Sequence, residues 1–318
     1  MDIVVLDGHT LNPGDLDWSP LKEFGTYGVY PRTMPEEICE RAAEAKIVLT
    51  NKVVLDAATI AQLPKLEYIG VLATGYNVVD LQAAAERDIV VTNIPGYSTA
   101  SVGQMVFALL LEMTQQVGHH AQLVKQGDWC RSEDFSLRDR PLFELAGKNF
   151  GIVGYGQIGQ QVAAIANAFG MRVLVHTANP DKYKADKSVE FTDIDSLFDE
   201  CDVISLNCPL TGETKQLVNT ARLMRVKQGT LLINTGRGDL IDEDAVADAL
   251  QEGYLGGFAA DVLATEPPEE HDPLRAAPHT FITPHIAWAT AEARQRLLDI
   301  ALANIQAFQD GTPQNQVN

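Results

Sequence analysis

Positively charged residues are scarce in this chain. Its 318 residues include 24 Lys and Arg against 43 Asp and Glu, which gives a formal net charge of −19. Nucleic acids and anionic membrane surfaces are bound through clustered Lys and Arg, so this balance argues against both as partners. Because an acidic surface repels small anions at long range, any anion site in this protein needs its own local positive charge.

Long apolar runs are missing as well. No stretch approaches the roughly 18 consecutive apolar residues of a membrane helix, and the first residues lack the pattern of a secretion signal. The four cysteines form no C-x-x-C pair and no secreted disulfide pattern: Cys39, Cys130, Cys201 and Cys208. No metal-binding spacing such as H-E-x-x-H occurs. We therefore expect a soluble, cytoplasmic protein that holds no metal.

The most informative feature that is present lies near the middle of the chain. Residues 151–159 form a short apolar strand that continues into a G-x-G-x-x-G turn, with glycines at 154, 156 and 159. Such a turn lets backbone N–H groups approach a pyrophosphate, and the following helix offers its positive N-terminus to the anion. Glycine-rich turns are common, so the motif by itself leaves an ordinary surface turn as an equal alternative. Its flanks favour dinucleotide binding, since apolar residues recur at helical spacing after the turn and Gly170 follows them: Val162, Ile165, Ala166 and Phe169.

Strands and helices alternate in two successive stretches of the chain. The strands predicted in the first stretch are Ile3–Leu6, Ile47–Leu49, Tyr68–Leu72 and Ile89–Val91, with helices at Pro35–Ala45, Ala57–Leu63 and Asp80–Arg87. The strands predicted in the second are Phe150–Val153, Arg172–Val175, Val203–Leu206, Leu231–Asn234, Phe258–Asp261 and Thr280–Thr283, with helices at Gln157–Phe169, Asp195–Asp199 and Glu243–Glu252. This alternation predicts an α/β protein with two doubly wound parallel sheets, and six strands match a full dinucleotide-binding fold.

Two further helices are predicted outside this alternation. The segment Thr99–Gln126 is a long apolar helix candidate, and its part Thr99–Val117 is apolar around most of its circumference, so it must be buried on several sides. Either it is buried within its own domain, or it packs against a second copy of the chain. Ala291–Phe308 is amphipathic, with its apolar residues on one side: Leu297, Ile300, Ala301, Ile305 and Phe308.

Three segments that end predicted strands carry side chains suited to catalysis. Arg237 lies in Asn-Thr-Gly-Arg-Gly, Glu266 precedes a pair of prolines, and His285 follows Thr-Pro. Ligands of parallel α/β sheets bind at the carboxyl ends of strands, where all three would lie. A guanidinium can grip a carboxylate with two hydrogen bonds, and a histidine can transfer a proton near neutral pH. The alternatives are a surface arginine, a solvated loop acid and a structural histidine.

These motifs together resemble the D-2-hydroxyacid dehydrogenase family. The matching segments stand in the family's order: GYGQIG (154–159), NTGRG (234–238), DVLATEP (261–267) and PHIAW (284–288). Residues 207–214 resemble the family's loop beside the nicotinamide, and residues 72–80 resemble its substrate-carboxylate loop. The resemblance implies a Rossmann-type cofactor domain, residues 98–287, inserted into a flavodoxin-like substrate domain, residues 1–97 and 288–318. It also implies a homodimer in which residues 99–117 lie between the subunits.

The resemblance also implies roles for individual residues. Arg237, Glu266 and His285 would be catalytic: His285 would donate the proton, Glu266 would orient it, and Arg237 would hold the substrate carboxylate. The residues implied for substrate binding are Ala73, Thr74, Gly75, Asn77, Arg237, His285 and Trp288. The residues implied for cofactor binding are Gly154, Gly156, Gln157, Ile158, Gly159, His176, Thr177, Cys208, Pro209, Thr214, Thr235, Gly236, Arg237, Asp261 and His285. Asp261 matches the family's acceptor for the nicotinamide amide.

One position departs from the NAD-type pattern. An acid at the end of the second strand usually binds the ribose 2′-hydroxyl. This chain has His176 and Thr177 there, and the nearest acid is Asp181. No arginine replaces the acid, although Lys182 and Lys184 are near in sequence. The family favours NAD, and the sequence leaves NADP possible.

The substrate is predicted less directly. The opening segment and the segment 96–114 look most like bacterial glycerate dehydrogenases, also called hydroxypyruvate reductases. We therefore expect a small 2-keto acid, hydroxypyruvate or glyoxylate, to be interconverted with D-glycerate or glycolate. A broad or D-lactate-type 2-keto acid reductase is the alternative. A corepressor-like protein that senses the dinucleotide is an alternative of a different class.

Overall fold

The computed structural model describes all residues from Met1 to Asn318. Two compact units make up the chain. The first joins Met1–Ser98 to Trp288–Asn318, and the second is Thr99–Ala287. No helix has both the length and the apolar character needed to span a membrane.

The first unit contains a five-stranded parallel sheet. Its strands are β1 (Ile3–Val5), β2 (Tyr27–Val29), β3 (Ile47–Thr50), β4 (Tyr68–Val71) and β5 (Val90–Thr92), and its short helices are α1 (Gly8–Leu11), α2 (Ile38–Ala42), α3 (Ala57–Ala61) and α4 (Leu81–Ala85). The order β2-β1-β3-β4-β5 is that of flavodoxin-like folds. Strand β2 was not predicted, because its three residues are only half-buried and include a glycine, which weakens the apolar signal of a strand.

The second unit contains a seven-stranded parallel sheet. Its strands are β6 (Asn149–Val153), β7 (Arg172–His176), β8 (Glu190–Phe191), β9 (Val203–Leu206), β10 (Thr230–Asn234), β11 (Leu255–Ala260) and β12 (Thr280–Ile282). Its helices are α5 (Thr99–Gln115), α6 (Val117–Lys125), α7 (Gln157–Ala168), α8 (Ile194–Glu200), α9 (Thr220–Leu223), α10 (Glu243–Gln251) and α11 (Pro273–Ala276). The order β12-β11-β10-β9-β6-β7-β8 reverses direction between β6 and β9, as in dinucleotide-binding folds. The predicted doubly wound sheets are confirmed, with the two-residue edge strand β8 as an addition.

The long helix predicted over 99–126 is wrong in one respect, because it breaks at Gln116. This residue has φ 50°, in the left-handed region, so α6 starts in a new direction. Gly118 lies two residues after the break and no proline lies near it, so the sequence carried only a weak signal for it. Much of the apolar band of α5 is buried within its own unit, where Val106, Phe107 and Leu110 share a core with β6 and α7. Met105 is half-buried and Ala108 is exposed.

The last helix, α12 (Ala291–Gln309), belongs to the first unit. Leu297, Ala301 and Ile305 are buried in the same core as Tyr68 of β4, as the amphipathic pattern predicted. Arg294 lies beside them and donates both Nη atoms to the Asp15 carboxylate, at 2.7 and 2.6 Å. The first unit is thus built from the two ends of the chain, and the second is one continuous insertion between them.

Candidate active site

The glycine turn after β6 has no room for side chains at two positions. Gly154 has φ 95°, and a Cβ there would lie 2.5 Å from the backbone nitrogen of Cys208. A Cβ on Gly159 would lie 2.2 Å from the carbonyl oxygen of Gly154. These two glycines therefore let α7 and the loop after β9 pack directly against the turn.

Gly156 differs, because nothing in the protein lies within 4 Å of the position of its Cβ. It is the N-cap residue of α7, and no side chain caps this helix end. The backbone N–H groups of the first turn, which begins with Gln157 and Ile158, therefore face open space with the positive end of the helix dipole behind them. A pyrophosphate fits this cradle in charge and in shape.

Two buried polar atoms near neighbouring strand ends have no hydrogen-bond partner. They are Oδ1 of Asn207, which follows β9, and Oγ1 of Thr235, which follows β10. Buried polar atoms without partners are costly and rare, so they point to a polar group that binds there. Together with the cradle at Gly156, they fit a nicotinamide dinucleotide. Asn207 was not among the predicted cofactor residues, and its place at a strand end was the available signal.

The loop that follows Asn207 is held by its own side chains. The hydroxyl of Thr214 donates to the carbonyl oxygen of Pro209 at 2.7 Å and accepts from the backbone N–H of Thr211 at 2.7 Å. Cys208 is half-buried, and burial raises the pKa of its thiol. This thiol is therefore neutral at physiological pH and carries no charge toward a cofactor.

The end of β7 carries no carboxylate. His176 and Thr177 are half-buried there, and Nδ1 of His176 lies 3.3 Å from the carbonyl oxygen of Thr192. Asp181 forms an ion pair with Lys184 at 2.8 Å, and the ammonium of Lys182 lies 5.4 Å from the centre of the Tyr183 ring. Asp181, Lys182 and Lys184, the charged residues that the sequence offered near this strand end, thus contact one another or Tyr183 within one short turn.

Arg237 lies on a turn that a buried side chain braces. Asn234, at the end of β10, is fully buried; its Nδ2 donates to the carbonyl oxygen of Arg237 at 2.8 Å, and its Oδ1 accepts from the N–H of Gly236 at 3.1 Å. A Cβ on Gly238 would lie 1.9 Å from the carbonyl carbon of Leu263. The Arg237 turn therefore packs directly against the loop that leads to Glu266, while the Arg237 side chain is exposed. The bracing role of Asn234 was not predicted.

Glu266 and His285 form the predicted pair. Oε2 of Glu266 lies 2.6 Å from Nδ1 of His285, and Oε1 accepts from the backbone N–H of Leu263 at 3.1 Å. Both side chains are about two-thirds buried, with 35% and 31% of their surfaces exposed. The carboxylate fixes the orientation of the imidazole ring by accepting a hydrogen bond from Nδ1. Nε2 then lies on the side of the ring away from Glu266, which suits it to proton exchange with a bound molecule.

Two other acids hold the loops of this pair. Asp261, at the end of β11, is 1% exposed; its carboxylate accepts from the hydroxyl of Thr283 and from the N–H groups of Ile286 and Ala287. Burial raises the pKa of Asp261, and these hydrogen bonds oppose the rise. Glu243, in the first turn of α10, accepts from the N–H of Ala264 at 2.8 Å. The role of Glu243 was not predicted, because its sequence context is that of an ordinary helix start.

The remaining predicted substrate residues belong to the first unit. Ala73, Thr74, Gly75 and Asn77 follow β4, and this loop is held because Thr74 donates its hydroxyl to the carbonyl oxygen of Ile94 at 2.9 Å. Trp288 starts the C-terminal segment of the same unit, and its ring meets that of Tyr97 edge-on at 6.5 Å. The structure thus brings Glu266 and His285 together, and seats Arg237 against their loop, within the second unit.

Comparison with known proteins identifies the family. Residues 107–287 match the model of "D-isomer specific 2-hydroxyacid dehydrogenase, NAD binding domain". The chain is 46% identical to a hydroxypyruvate reductase of Blautia hydrogenotrophica over the full length of both proteins. It is 39% identical to a glycerate dehydrogenase of Methylorubrum extorquens, covering 99% of this chain and 98% of that one. The crystal structure of the TT0316 protein of Thermus thermophilus superimposes with a TM-score of 0.87, at 35% identity and full coverage of both chains.

The glycine turn with its open cradle and the Glu266–His285 pair agree with these matches, and the predicted family is confirmed. The chain belongs to the D-isomer specific 2-hydroxyacid dehydrogenases and is an NAD(P)-dependent oxidoreductase.

Proposed function

We propose that this dehydrogenase reduces a small 2-keto acid, hydroxypyruvate or glyoxylate, to D-glycerate or glycolate. The observation that carries the proposal is the 2.6 Å contact between Glu266 and His285, on a loop packed against the turn of Arg237. The names of the two relatives, hydroxypyruvate reductase and glycerate dehydrogenase, support the choice of substrate. The first unit offers polar Asn77 on the exposed loop after β4, which suits a substrate with a hydroxyl group.

Each catalytic side chain has one task in this proposal. Arg237 holds the substrate carboxylate with two hydrogen bonds and polarises the neighbouring carbonyl group. His285 donates a proton from Nε2 to the carbonyl oxygen as the alcohol forms. Glu266 accepts a hydrogen bond from Nδ1 of His285 and so fixes the plane of its ring, with Nε2 on the opposite side. A bound reduced nicotinamide supplies the hydride that the carbonyl carbon receives.

For the cofactor we propose NAD, with NADP accepted as well. The half-buried end of β7 carries His176 and Thr177 where NAD-specific enzymes place a carboxylate. Without that carboxylate, nothing at this strand end repels the 2′-phosphate of NADP. The nearest acid, Asp181, is neutralised by Lys184.

For the assembly we propose a homodimer that uses the segment 117–142. This segment carries large apolar side chains with exposed surface: Val117, Val124, Trp129, Phe135 and Leu142. Phe135 is 93% exposed, which is unusual for a phenylalanine of an isolated subunit. The segment contains four Lys and Arg and four Asp and Glu, so its net charge is zero in a chain of −19. A second copy of this acidic chain therefore meets no net repulsion at this surface.

The first prediction concerns substrate choice. Steady-state kinetics with NADH and a panel of 2-keto acids should give hydroxypyruvate and glyoxylate the highest kcat/KM, because the two relatives are a hydroxypyruvate reductase and a glycerate dehydrogenase and the loop after β4 carries polar Asn77. Pyruvate, 2-ketoisocaproate and phenylpyruvate should follow in that order. A higher kcat/KM for either of the two large keto acids would contradict the proposed substrate while leaving the family unchanged.

The second prediction concerns the division of work between Glu266 and His285. His285→Ala should lower kcat about 10²–10⁴-fold, the scale of general acid–base catalysis, with little change in the Kd of NADH. Glu266→Gln keeps the side-chain shape but replaces the charged acceptor of His285 Nδ1 with a neutral amide, which is a weaker acceptor. The imidazole ring is then held less firmly, so kcat should fall for reduction and for oxidation alike, by less than in His285→Ala. An unchanged kcat in both directions would show that Glu266 does not position His285.

The third prediction concerns the cofactor. The wild-type protein should bind NADH and NADPH, as measured by quenching of tryptophan fluorescence. His176→Asp places a carboxylate at the end of β7, so the Kd of NADPH should rise about 10-fold through repulsion of the 2′-phosphate, whereas that of NADH should stay within about threefold. Wild-type protein that binds one cofactor only, or a variant that weakens both equally, would show that this strand end does not set the choice.

The fourth prediction concerns the assembly. Light scattering at micromolar concentration should give the mass of a dimer. Phe135→Glu should give a monomer, because it places a charge in the apolar contact. Met224→Glu is the matched control: Met224 is 70% exposed on α9's C-terminal side, and this change should leave the dimer intact. A monomeric wild-type protein would refute the dimer. A dimeric Phe135→Glu variant would show that the dimer interface does not use the segment 117–142.

A further inference from the structure

His285 has a backbone conformation that needs support. Its φ of 55° lies in the left-handed region, which a residue with a Cβ adopts only where its surroundings hold it. The residue before it is Pro284, which cannot donate a backbone hydrogen bond. Within the turn, the N–H of His285 donates to the carbonyl oxygen of Thr283 at 3.0 Å. This contact closes a turn of three residues.

The carboxylate of Asp261 accepts hydrogen bonds from residues of this turn on both sides of His285. Its Oδ1 accepts from the hydroxyl of Thr283 at 2.6 Å, ahead of the histidine, and from the N–H of Ile286 at 2.9 Å, just after it. Its Oδ2 accepts from the N–H of Ala287 at 2.7 Å. The carbonyl oxygen of Ala287 in turn accepts from the buried hydroxyl of Ser101 at 2.5 Å.

Burying a charged carboxylate costs free energy of desolvation, which must be offset by hydrogen bonds to the charge. Asp261 is 1% exposed, and desolvation raises its pKa. Three hydrogen bonds to a charged acceptor offset this cost, and each of the three donors belongs to the turn that carries His285. A carboxylate oxygen accepts about two hydrogen bonds, so one acceptor position on Oδ2 remains after these contacts. A nicotinamide amide that donated a hydrogen bond to this remaining position would leave the three hydrogen bonds from the turn in place.

We propose that Asp261 is a positioning residue for His285: its carboxylate holds residues 283–287 in the left-handed turn that brings Nδ1 of His285 to Glu266. This role is separate from the nicotinamide contact implied by the family resemblance, because it operates without cofactor. It rests on the proposed function only in taking His285 as the proton donor.

The test is Asp261→Asn, which preserves the size of the side chain. One end of an asparagine is an NH₂ group, so at least one donor of the turn loses its acceptor and faces a second donor. The histidine-labelled apoprotein should show the imidazole N–H proton of the Glu266–His285 hydrogen bond as a downfield resonance, assigned by its loss in His285→Ala. In Asp261→Asn this resonance should move upfield or disappear. Asp193→Asn is the matched control, since Asp193 accepts from the N–H and hydroxyl of Ser196 at the start of α8, and it should leave the resonance in place.

Kinetics with two cofactors separate positioning from cofactor binding. In 3-acetylpyridine adenine dinucleotide a methyl ketone replaces the carboxamide, so this analogue has no amide N–H to donate. If Asp261 positions His285, Asp261→Asn should lower kcat about 10–10²-fold with NADH and with the reduced analogue alike. The Kd of ADP-ribose should not change. A kcat loss seen with NADH only, or an imidazole resonance that stays in place, would overturn the proposal.

Thr283 provides a second variant in case Asp261→Asn does not fold. Thr283→Val removes the hydroxyl donor to Asp261 with little change of shape, and should displace the same resonance and lower kcat in the same direction. Thr283→Ser keeps the hydroxyl and should restore both. If no keto acid is reduced by the wild-type protein, the proposed function fails, yet the resonance still decides whether Asp261 holds the turn. If Thr283→Val leaves the resonance in place, the positioning role is refuted whatever the substrate.

Discussion

Every strand of the larger sheet points in the same direction, and the active-site residues depend on this constraint. The carboxyl ends of parallel strands share one edge, so the residues that follow β6, β9, β10 and β11 meet there although they are far apart in sequence. At such an edge the chain must leave the sheet, and its backbone N–H and carbonyl groups lose their ladder partners. The side chains of Asn234, at the end of β10, and Asp261, after β11, supply new hydrogen-bond partners for these backbone groups. Gly154, after β6, has no side chain that would block the close approach of the neighbouring loop.

The same device occurs in the smaller sheet. Asp7, just after β1, accepts from the backbone N–H groups of Asn51 and Lys52, which follow β3, at 2.8 and 2.6 Å. Asn51 then donates from Nδ2 to the carbonyl oxygen of Leu72, after β4, at 2.6 Å. Short polar side chains thus connect neighbouring strand ends in both units. Loops built in this way present functional groups from a rigid base, which is the requirement for catalysis by positioning.

Electrostatics impose a second requirement on this chain. A net charge of −19 repels both the phosphates of a dinucleotide and the carboxylate of a 2-keto acid. The structure offers local positive groups instead of a basic surface: the uncapped N-terminus of α7 at Gly156, and the exposed guanidinium of Arg237. In the proposed function, the pairing of His285 with Glu266 supplies the proton. The acidic surface then favours solubility, and the binding groups act only at short range.

Several features of this protein followed from the sequence by itself. Continuous apolar runs such as Ile3–Val5 predicted buried parallel strands, because strands that are covered on both faces are apolar without alternation. The motifs around Gly154, Arg237, Glu266 and His285 identified the family, because the chemistry of each role admits few residue types. The half-buried strand β2, the two-residue strand β8 and the break at Gln116 escaped prediction. They depend on packing and on one backbone torsion, which leave little trace in local composition.

Only the tertiary structure decided which polar residues hold the catalytic ones. Asn234 and Asp261 lie in family motifs and Glu243 lies at an ordinary helix start, but their hydrogen bonds to residues 237, 264 and 283–287 exist only after the strands have aligned. The same holds for α5, whose apolar circumference suggested either a core or a subunit contact, and much of which the fold buries within its own unit. Local sequence determines whether a segment has the hydrophobic periodicity of a helix or a strand, and which of its faces is polar. The hydrogen-bond partner of a buried polar group depends on which distant residues lie beside it in the folded chain, and no local pattern contains that information.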